Sequence, residues 1–219
     1  MDPNRLQAVI WDFNGTLVDD VSAAVCAINA MLERRCLQRL TVEAYRSVFG
    51  FPFDGYYRAI GFDLADETMA GLADEFHDAY LPILPTCTLS CGVRDVLDLI
   101  SELGVPQFVL SAMEEQSLTK AIRRLGIECY FEAVFGSRDR LANSKVARGI
   151  DLVERFALCP PDVLFIGDTK HDGEVASALG GAVALVAQGH QTVARLRESG
   201  RRVFRSFEDL RDALLRGRD

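Results

Sequence analysis

Positive charge is in short supply. The chain carries 24 Lys plus Arg against 32 Asp plus Glu, a formal net charge of −8 over 219 residues. A nucleic-acid binder needs a basic face, and that footprint is missing overall, so DNA or RNA is not expected as a partner. A small phosphorylated ligand is not excluded, because one bound metal ion reverses the field locally. Long apolar runs are missing as well, none reaching the ~18 residues that suggest a membrane-spanning helix. The opening MDPNRL does not lead from a basic segment into an apolar one. The expectation is a soluble, cytoplasmic protein with no membrane partner, monomeric or homodimeric.

The cysteines, Cys26, Cys36, Cys87, Cys91, Cys129 and Cys159, include no C-x-x-C pair and no histidines at zinc spacing. They are expected to be reduced, mostly buried thiols, since a free cysteine behaves as a small hydrophobe. Cys87 and Cys91 are the closest pair and could be bridged or sit near a metal. Low-complexity tracts and internal repeats are also absent. The length suits one domain with an insertion, or two small domains.

Apolar runs of strand length recur at Gln7 to Trp11, Gln107 to Leu110, Ala133 to Phe135, Val163 to Ile166 and Ala182 to Val186. Helical patterns lie between them, such as Arg94 to Leu103 and Glu115 to Leu125, with Gly104 and Gly126 placed as stops. Continuously apolar strands alternating with helices imply an α/β fold: a parallel, Rossmann-like sheet covered on both faces. From about Asp19 to Thr86 no convincing strand is found. That stretch shows several helical periods, among them VSAAVCAINAMLERR and DETMAGLADEFHDAYLPIL. It reads as an inserted all-α cap over residues 19–86, leaving residues 1–18 and 87–219 as the core. A last short strand and a closing helix follow near the C-terminal end.

Ligands of an open parallel sheet sit beyond the carboxyl ends of its strands. The first strand ends in Asp12, with Asn14, Gly15 and Thr16 on the turn after it; the second ends in Ser111-Ala112; the fourth runs into Gly167-Asp168-Thr169, followed by Asp172. Lys145 stands near the start of a helix between the third and fourth. Asp12, Asp168 and Asp172 offer hard oxygen ligands suited to Mg²⁺, which also binds substrate phosphate oxygens. Thr16, Ser111, Lys145 and loop amides would hold the remaining phosphoryl oxygens, and Asp12 would be the nucleophile. Taken singly, each residue has an ordinary reading: Ser111 ends a strand, Lys145 is a solvated lysine, Asp168 caps a helix. Their ordered co-occurrence favours the chemical one.

The same residues carry a family resemblance. WDFNGTLVDD resembles the first motif of the haloacid dehalogenase-like superfamily, D-x-D-G-T; VLSA resembles the second, ending in Ser or Thr; Lys145 fits the third; IGDTKHD fits the fourth, G-D-x-x-x-D. The chain looks closest to the phosphoglycolate phosphatase and β-phosphoglucomutase subgroup. The resemblance implies a Mg²⁺-dependent phosphatase acting on a small phosphorylated metabolite through an aspartyl-phosphate. Asp12 would be nucleophile and metal ligand, Asn14 a ligand through its main-chain carbonyl, and Asp168 a third ligand. Asp172 would belong to the metal site while tied to Lys145 or to a metal-bound water. Gly15, Thr16, Ser111, Ala112 and Lys145 would bind substrate, with Ser111, Lys145 and Asn14 assisting catalysis. Halide displacement is disfavoured, because dehalogenases need no metal and typically lack the paired acids of the fourth motif.

The cap segment VFGFPFDGYYRAIGF is rich in aromatics. Phe49, Phe51, Phe53 and Tyr56 would either pack the cap's own core or, by resemblance, face the site and select substrate, with Arg46 or Arg58 meeting a second anionic group. His171 would line the entrance or the surface, His190 has an equally ordinary surface reading, and His77 is expected to be solvated.

One residue departs from the pattern. The family normally has aspartate at the position of Asn14, protonating the leaving oxygen and later accepting a proton from water. An amide has no titratable proton at working pH, and such acid–base help is worth about 10²–10⁴-fold. Four accounts follow. The substrate has a good leaving group or the cap supplies the proton; the phosphoenzyme is long-lived, as in a phosphotransferase; the protein is a weak or inactive phospholigand-binding regulator; or the asparagine was introduced artificially.

Overall fold

The computed structural model describes residues 6–138 and 145–217. The elements in chain order are β1 (Ala8–Trp11), β2 (Val18–Asp19), α1 (Val21–Arg34), α2 (Val42–Val48), α3 (Phe53–Ala59), α4 (Met69–Tyr80), β3 (Thr88–Leu89), α5 (Val93–Glu102), β4 (Gln107–Glu114), α6 (Glu115–Leu125), β5 (Ala133–Ser137), α7 (Lys145–Arg155), β6 (Val163–Gly167), α8 (Lys170–Leu179), β7 (Ala182–Val186), α9 (Val193–Arg197), β8 (Val203–Phe204) and α10 (Phe207–Arg216). Six strands form one parallel sheet in the order β5-β4-β1-β6-β7-β8.

The apolar runs make this sheet because both of its faces are covered. Along β1, Val9 and Trp11 enter one core with residues of α5, α6 and α10, while Ala8 and Ile10 enter the other with residues of α7 and α8. The period-two alternation thus sends neighbours to opposite layers. Trp11 is fully buried and its indole N–H donates to the Gln107 side chain at 2.9 Å, so its polar atom is satisfied. Gly104 and Gly126 take left-handed conformations just past α5 and α6, as stops require.

From β1 the chain passes to β4 and β5 on one side, then to β6, β7 and β8 on the other. The carboxyl end of β1 therefore lies where the strand order reverses, the place an open α/β sheet offers to ligands. α1 to α4 intervene between β1 and β4. They are joined to the sheet through the antiparallel pair β2–β3, in which Val18 faces Leu89 and Asp19 faces Thr88. These helices share a hydrophobic cluster of their own, with Ile28, Met31, Leu32, Tyr45 and Leu72 among its buried members. On their outside Arg35 pairs with Glu67 at 2.5 Å and Glu75 at 2.6 Å and lies over the Phe62 ring.

Three local expectations need correction. A strand does occur at Val18–Asp19, where alternation was too short to register. β4 does not stop near Ser111 but runs on to Glu114 through a register shift after Leu110, placing Ser111 inside the strand. The cysteines are free but mostly exposed: only Cys87 is buried, the other five falling on outward helix faces, turns and loops.

Candidate active site

The loop after β1 turns tightly, with the Gly15 N–H bonding to the Val18 carbonyl at 3.0 Å and Gly15 at φ 71°. Glycine is required there twice over. Besides the left-handed backbone, a Cβ at this residue would run into the Asp168 carboxyl group, and one at Gly189 would strike the same carboxyl from the other side. Asp168 follows β6 directly and is completely buried. It accepts from the Thr16 hydroxyl at 3.0 Å and from the His190 N–H at 2.6 Å.

Lys145 opens α7 and is 94 % buried, its ammonium lying 2.5 Å from Asp12 and 2.6 Å from Asp172. Asp172 is also the third residue of α8, where its second oxygen accepts from the Thr169 N–H at 2.9 Å and the Thr169 hydroxyl at 2.7 Å in a capping box. Both Asp172 oxygens are therefore engaged, while one Asp12 oxygen is held by Lys145. Ligand atoms of Asp12, Asp168 and Asp172 lie within 4.8 Å of one another.

Three carboxylates around one ammonium leave excess negative charge in a buried place. Burial, reinforced by the Asp172 and Asp168 charges and opposed by Lys145, pushes Asp12 up to about 8. Burial likewise raises Asp168 to about 6. Burial opposes ionisation of Asp172 too, yet Lys145 and Thr169 outweigh it and hold that carboxyl below the usual range. Against burial, Asp12 and Asp172 hold the Lys145 ammonium above its ordinary value. A hard divalent cation against Asp12 and Asp168 would relieve this imbalance, so the donor set fits Mg²⁺ in chemistry and charge.

Beside this cluster lies a second buried network. Asn14 donates through its side-chain amide to Asp20 and to the Tyr80 hydroxyl, each at 2.8 Å; Tyr80 donates to Asp20 at 2.5 Å; the Gly15 N–H donates to Asp20 at 2.7 Å. His190 stands 3.2 Å from Asp20 and its other ring nitrogen 2.9 Å from the Tyr45 hydroxyl. Burial opposes charge on His190, but Asp20 outweighs it and pushes the imidazole up to about 9; in return, and also against burial, His190 holds Asp20 below its ordinary value. Tyr45 on α2 and Tyr80 on α4 thereby tie the helical insertion to the sheet's loops. Further ties run from Arg46 to the Ala187 carbonyl at 2.8 Å and from Gln191 to the Phe49 carbonyl at 2.9 Å.

The two networks form the floor of one cavity of about 330 Å³, in which Asp12, Asn14, Ser111, Ala112, Lys145, Asp168 and Asp172 all have a share. The model of the haloacid dehalogenase-like hydrolase family matches residues 9–186, a span that includes Asp12, Asn14, Ser111, Ala112, Lys145, Asp168 and Asp172. The chain belongs to that family.

Among members of the haloacid dehalogenase-like hydrolase family, it is 26% identical over 207 residues to the phosphoglycolate phosphatase of Chromobacterium violaceum, covering 90% of this chain and 91% of that one. A probable phosphatase of Dickeya dadantii is 26% identical over 196 residues, covering 86% and 84%. In structure, a family hydrolase of Streptococcus pneumoniae superposes with TM-score 0.81 at 18% identity, covering 95% and 98%. A family hydrolase of Deinococcus radiodurans, crystallised with bound phosphate and sodium, gives TM-score 0.73 at 20% identity, covering 98% and 97%. This chain is accordingly a hydrolase of the phosphatase kind, in the subgroup that resembles phosphoglycolate phosphatases.

The family's first motif brings Asp12, Asn14, Gly15 and Thr16 together with Asp168; Ser111 is buried and uses its hydroxyl to accept from the Met113 N–H at 3.1 Å. Arg46 and Arg58 do not reach the cavity. Arg46 is drawn to main-chain carbonyls of the sheet's loops, and Arg58 pairs on the surface with Asp54 at 2.8 Å, one helical turn away. His77 is not freely solvated: it forms part of the cavity wall, half-buried, with Nδ1 2.6 Å from the Ala73 carbonyl. His190 is buried beneath the insertion rather than on the surface, and His171 stacks on Phe51 with ring centroids 4.4 Å apart. Phe49, Phe53 and Tyr56 do both things considered for them, packing the insertion's cluster and lining the cavity, while Phe51 lines the cavity with its ring against Phe49, Phe53 and His171.

Asp20 and Tyr80 carry no sequence signal that singles them out, and His190 reads from the sequence as readily as a surface residue. His190 follows β7, so the strand-end rule applied to that strand too would have found it. Asp20 was visible as an acid after the first motif, but its role depends on being bent back under Asn14. Tyr80 has no local signal at all, since only the packing of α4 brings it there.

Proposed function

We propose that the chain is a Mg²⁺-dependent phosphomonoester hydrolase working through an aspartyl-phosphate on Asp12. The observation that carries this reading is the convergence of Asp12, Lys145 and the Asp168–Asp172 pair, from three separate segments, at the switch point of the sheet. Asp12 would attack phosphorus, the ester oxygen would depart with the alcohol, and water would then release phosphate from Asp12. Asp12, Asp168 and the Asn14 main-chain carbonyl would hold the ion, which when bound neutralises phosphoryl charge. Lys145 holds Asp12 in place and supplies a second positive charge; Asp172 fixes Lys145; Ser111 and the Ala112 amide would orient the phosphoryl oxygens, whereas Gly15 and Thr16, expected to join them, do not line the cavity, their N–H and hydroxyl being spent on Asp20 and Asp168. The helices over residues 19–86 act as a cap that excludes water during the first step.

Turnover would be slow on alkyl phosphates. Both donors of the Asn14 amide are engaged by Asp20 and Tyr80, so this side chain braces the cap and moves no proton. A phosphoenzyme that breaks down slowly is the consequence, and it also favours transfer to acceptors other than water.

The test is phosphate release from p-nitrophenyl phosphate, whose leaving group needs no acid, with Mg²⁺ and with EDTA, for this chain and for Asp12→Asn. Metal-dependent release that falls by at least ~10³-fold in Asp12→Asn supports the proposal. Release that persists in either case rejects it, and no release at all supports a phospholigand-binding regulator.

A further inference from the structure

Above the phosphoryl-binding floor, the wall of the cavity is aromatic. Phe49, Phe51, Phe53, Tyr56, Tyr57 and Phe76 all line it, and no arginine does among the described residues. Lys145, the lysine of the lining, is already held by Asp12 and Asp172. The histidines of the lining are committed as well: His190 faces Asp20, His171 lies 3.1 Å from Glu174, and His77 meets a backbone carbonyl. A carboxylate on the departing alcohol would therefore be taken out of water with no free cation among the described residues to receive it, which disfavours it. A cationic alcohol finds neither Asp54 nor Asp20 free, the first being paired with Arg58 and the second with His190, so that only the ring faces would be left to receive its charge.

We propose that the ester hydrolysed here carries an uncharged, largely apolar, ring-sized alcohol, seated against the aromatic wall, and not the carboxylate-bearing alcohol of phosphoglycolate. This rests on the hydrolase reading of the same site. In the reaction the ester P–O bond breaks, phosphorus passes to Asp12 and then to a water oxygen, and the alcohol leaves with a proton that water supplies. The chamber must accommodate the alcohol both as ester and as free product, which suits a neutral group.

Binding separates this inference from the reading beneath it. Calorimetry with Mg²⁺ present would compare three non-hydrolysable analogues: 3-phenylpropylphosphonate, 3-phosphonopropionate and a trimethylammonium alkylphosphonate of similar length. The phenyl compound is expected to bind at least ~10-fold more tightly than either charged one. Equal or tighter binding of either charged compound overturns the inference. Phosphate release from 2-phenylethyl phosphate is measured in parallel; a phenyl preference in binding without release would sink the hydrolase reading alone. Phe53→Arg, which places a cation in the wall, should shift the ratio toward 3-phosphonopropionate, with Phe51→Lys as the substitute if its melting curve shows loss of fold. An unchanged ratio in a folded variant also counts against the inference.

Discussion

The Asn14 amide donates to the Asp20 carboxylate across 2.8 Å, and the Tyr80 hydroxyl of α4 closes the triangle on both of them. The residue that departs from the family motif is thus matched to a neighbour: an amide at residue 14 supplies the donors that a carboxylate at residue 20 needs. Aspartate at residue 14 would instead set two carboxylates against each other.

That pairing makes Asn14→Asp a test of compensation. The single variant should lose about 1–3 kcal/mol of stability at neutral pH, because one of two facing carboxylates must stay protonated or repel the other. Adding Asp20→Asn relieves that repulsion but also removes the partner of His190, so the double variant should be more stable than the two single losses summed, giving a favourable coupling in a double-mutant cycle of thermal or urea unfolding. Phosphate release from alkyl esters should rise by about 10–10³-fold in the double variant, as the proton shuttle returns. Additive losses would show that the two side chains do not depend on each other.

Gly189→Ala should abolish Mg²⁺-dependent phosphate release while the protein still folds. A Cβ at Gly189 collides with the Asp168 carboxyl and the Gly15 carbonyl, so the wedge that holds Asp168 must open. Titration calorimetry should show Mg²⁺ affinity falling by at least ~10-fold, as for loss of a group that orients a ligand. Wild-type affinity and activity in the variant would mean that the position of Asp168 matters less than its proximity suggests.

The His190–Asp20 pair gives the metal-free protein a pH dependence with a definite sign. His190 rises on folding from 6.5 to about 9 under the pull of Asp20, with Asp168 and Asp12 acting the same way and Tyr45 on its other nitrogen. A group raised on folding contributes stability that is complete below its unfolded value and lost as pH climbs through its folded one. In EDTA, unfolding free energy should therefore decline by on the order of 1–3 kcal/mol between about pH 6.5 and 9.5. Asp12, raised to about 8, adds to the same decline, so His190→Gln should reduce the slope in urea melts without abolishing it, and a variant with the same slope as the parent would refute the assignment. Asp20, lowered on folding, acts at the other end: its contribution is present above about 3.8 and lost as the pH falls further.

How much of this was legible in the sequence follows from where each signal resides. The sheet was readable because its strands are buried on both faces and so are continuously apolar, as in AVIW and VLFIG. Asp12, Lys145, Asp168 and Asp172 were readable because strand ends and motif spacing are properties of the chain itself. The cavity wall was not. Arg46 and Arg58 looked available for a second anion, but each found a nearer partner, main-chain carbonyls for one and Asp54 for the other. Tyr80 reaches Asn14 over 66 residues of chain, a contact that the packing of α4 against α1 decides. Residues that act through tertiary placement leave no trace in periodicity.

The central claim is that Asp12 carries the phosphoryl group. Rapid acid quench during Mg²⁺-dependent turnover, followed by borohydride, reduces an acyl phosphate to an alcohol, and peptide mass spectrometry then locates it. Because Asn14 leaves phosphoenzyme breakdown without its usual base, the intermediate should accumulate, and residue 12 should be recovered in part as homoserine. Steady phosphate release with Asp12 unmodified at every quench time, or reduction at another carboxylate, would contradict the account.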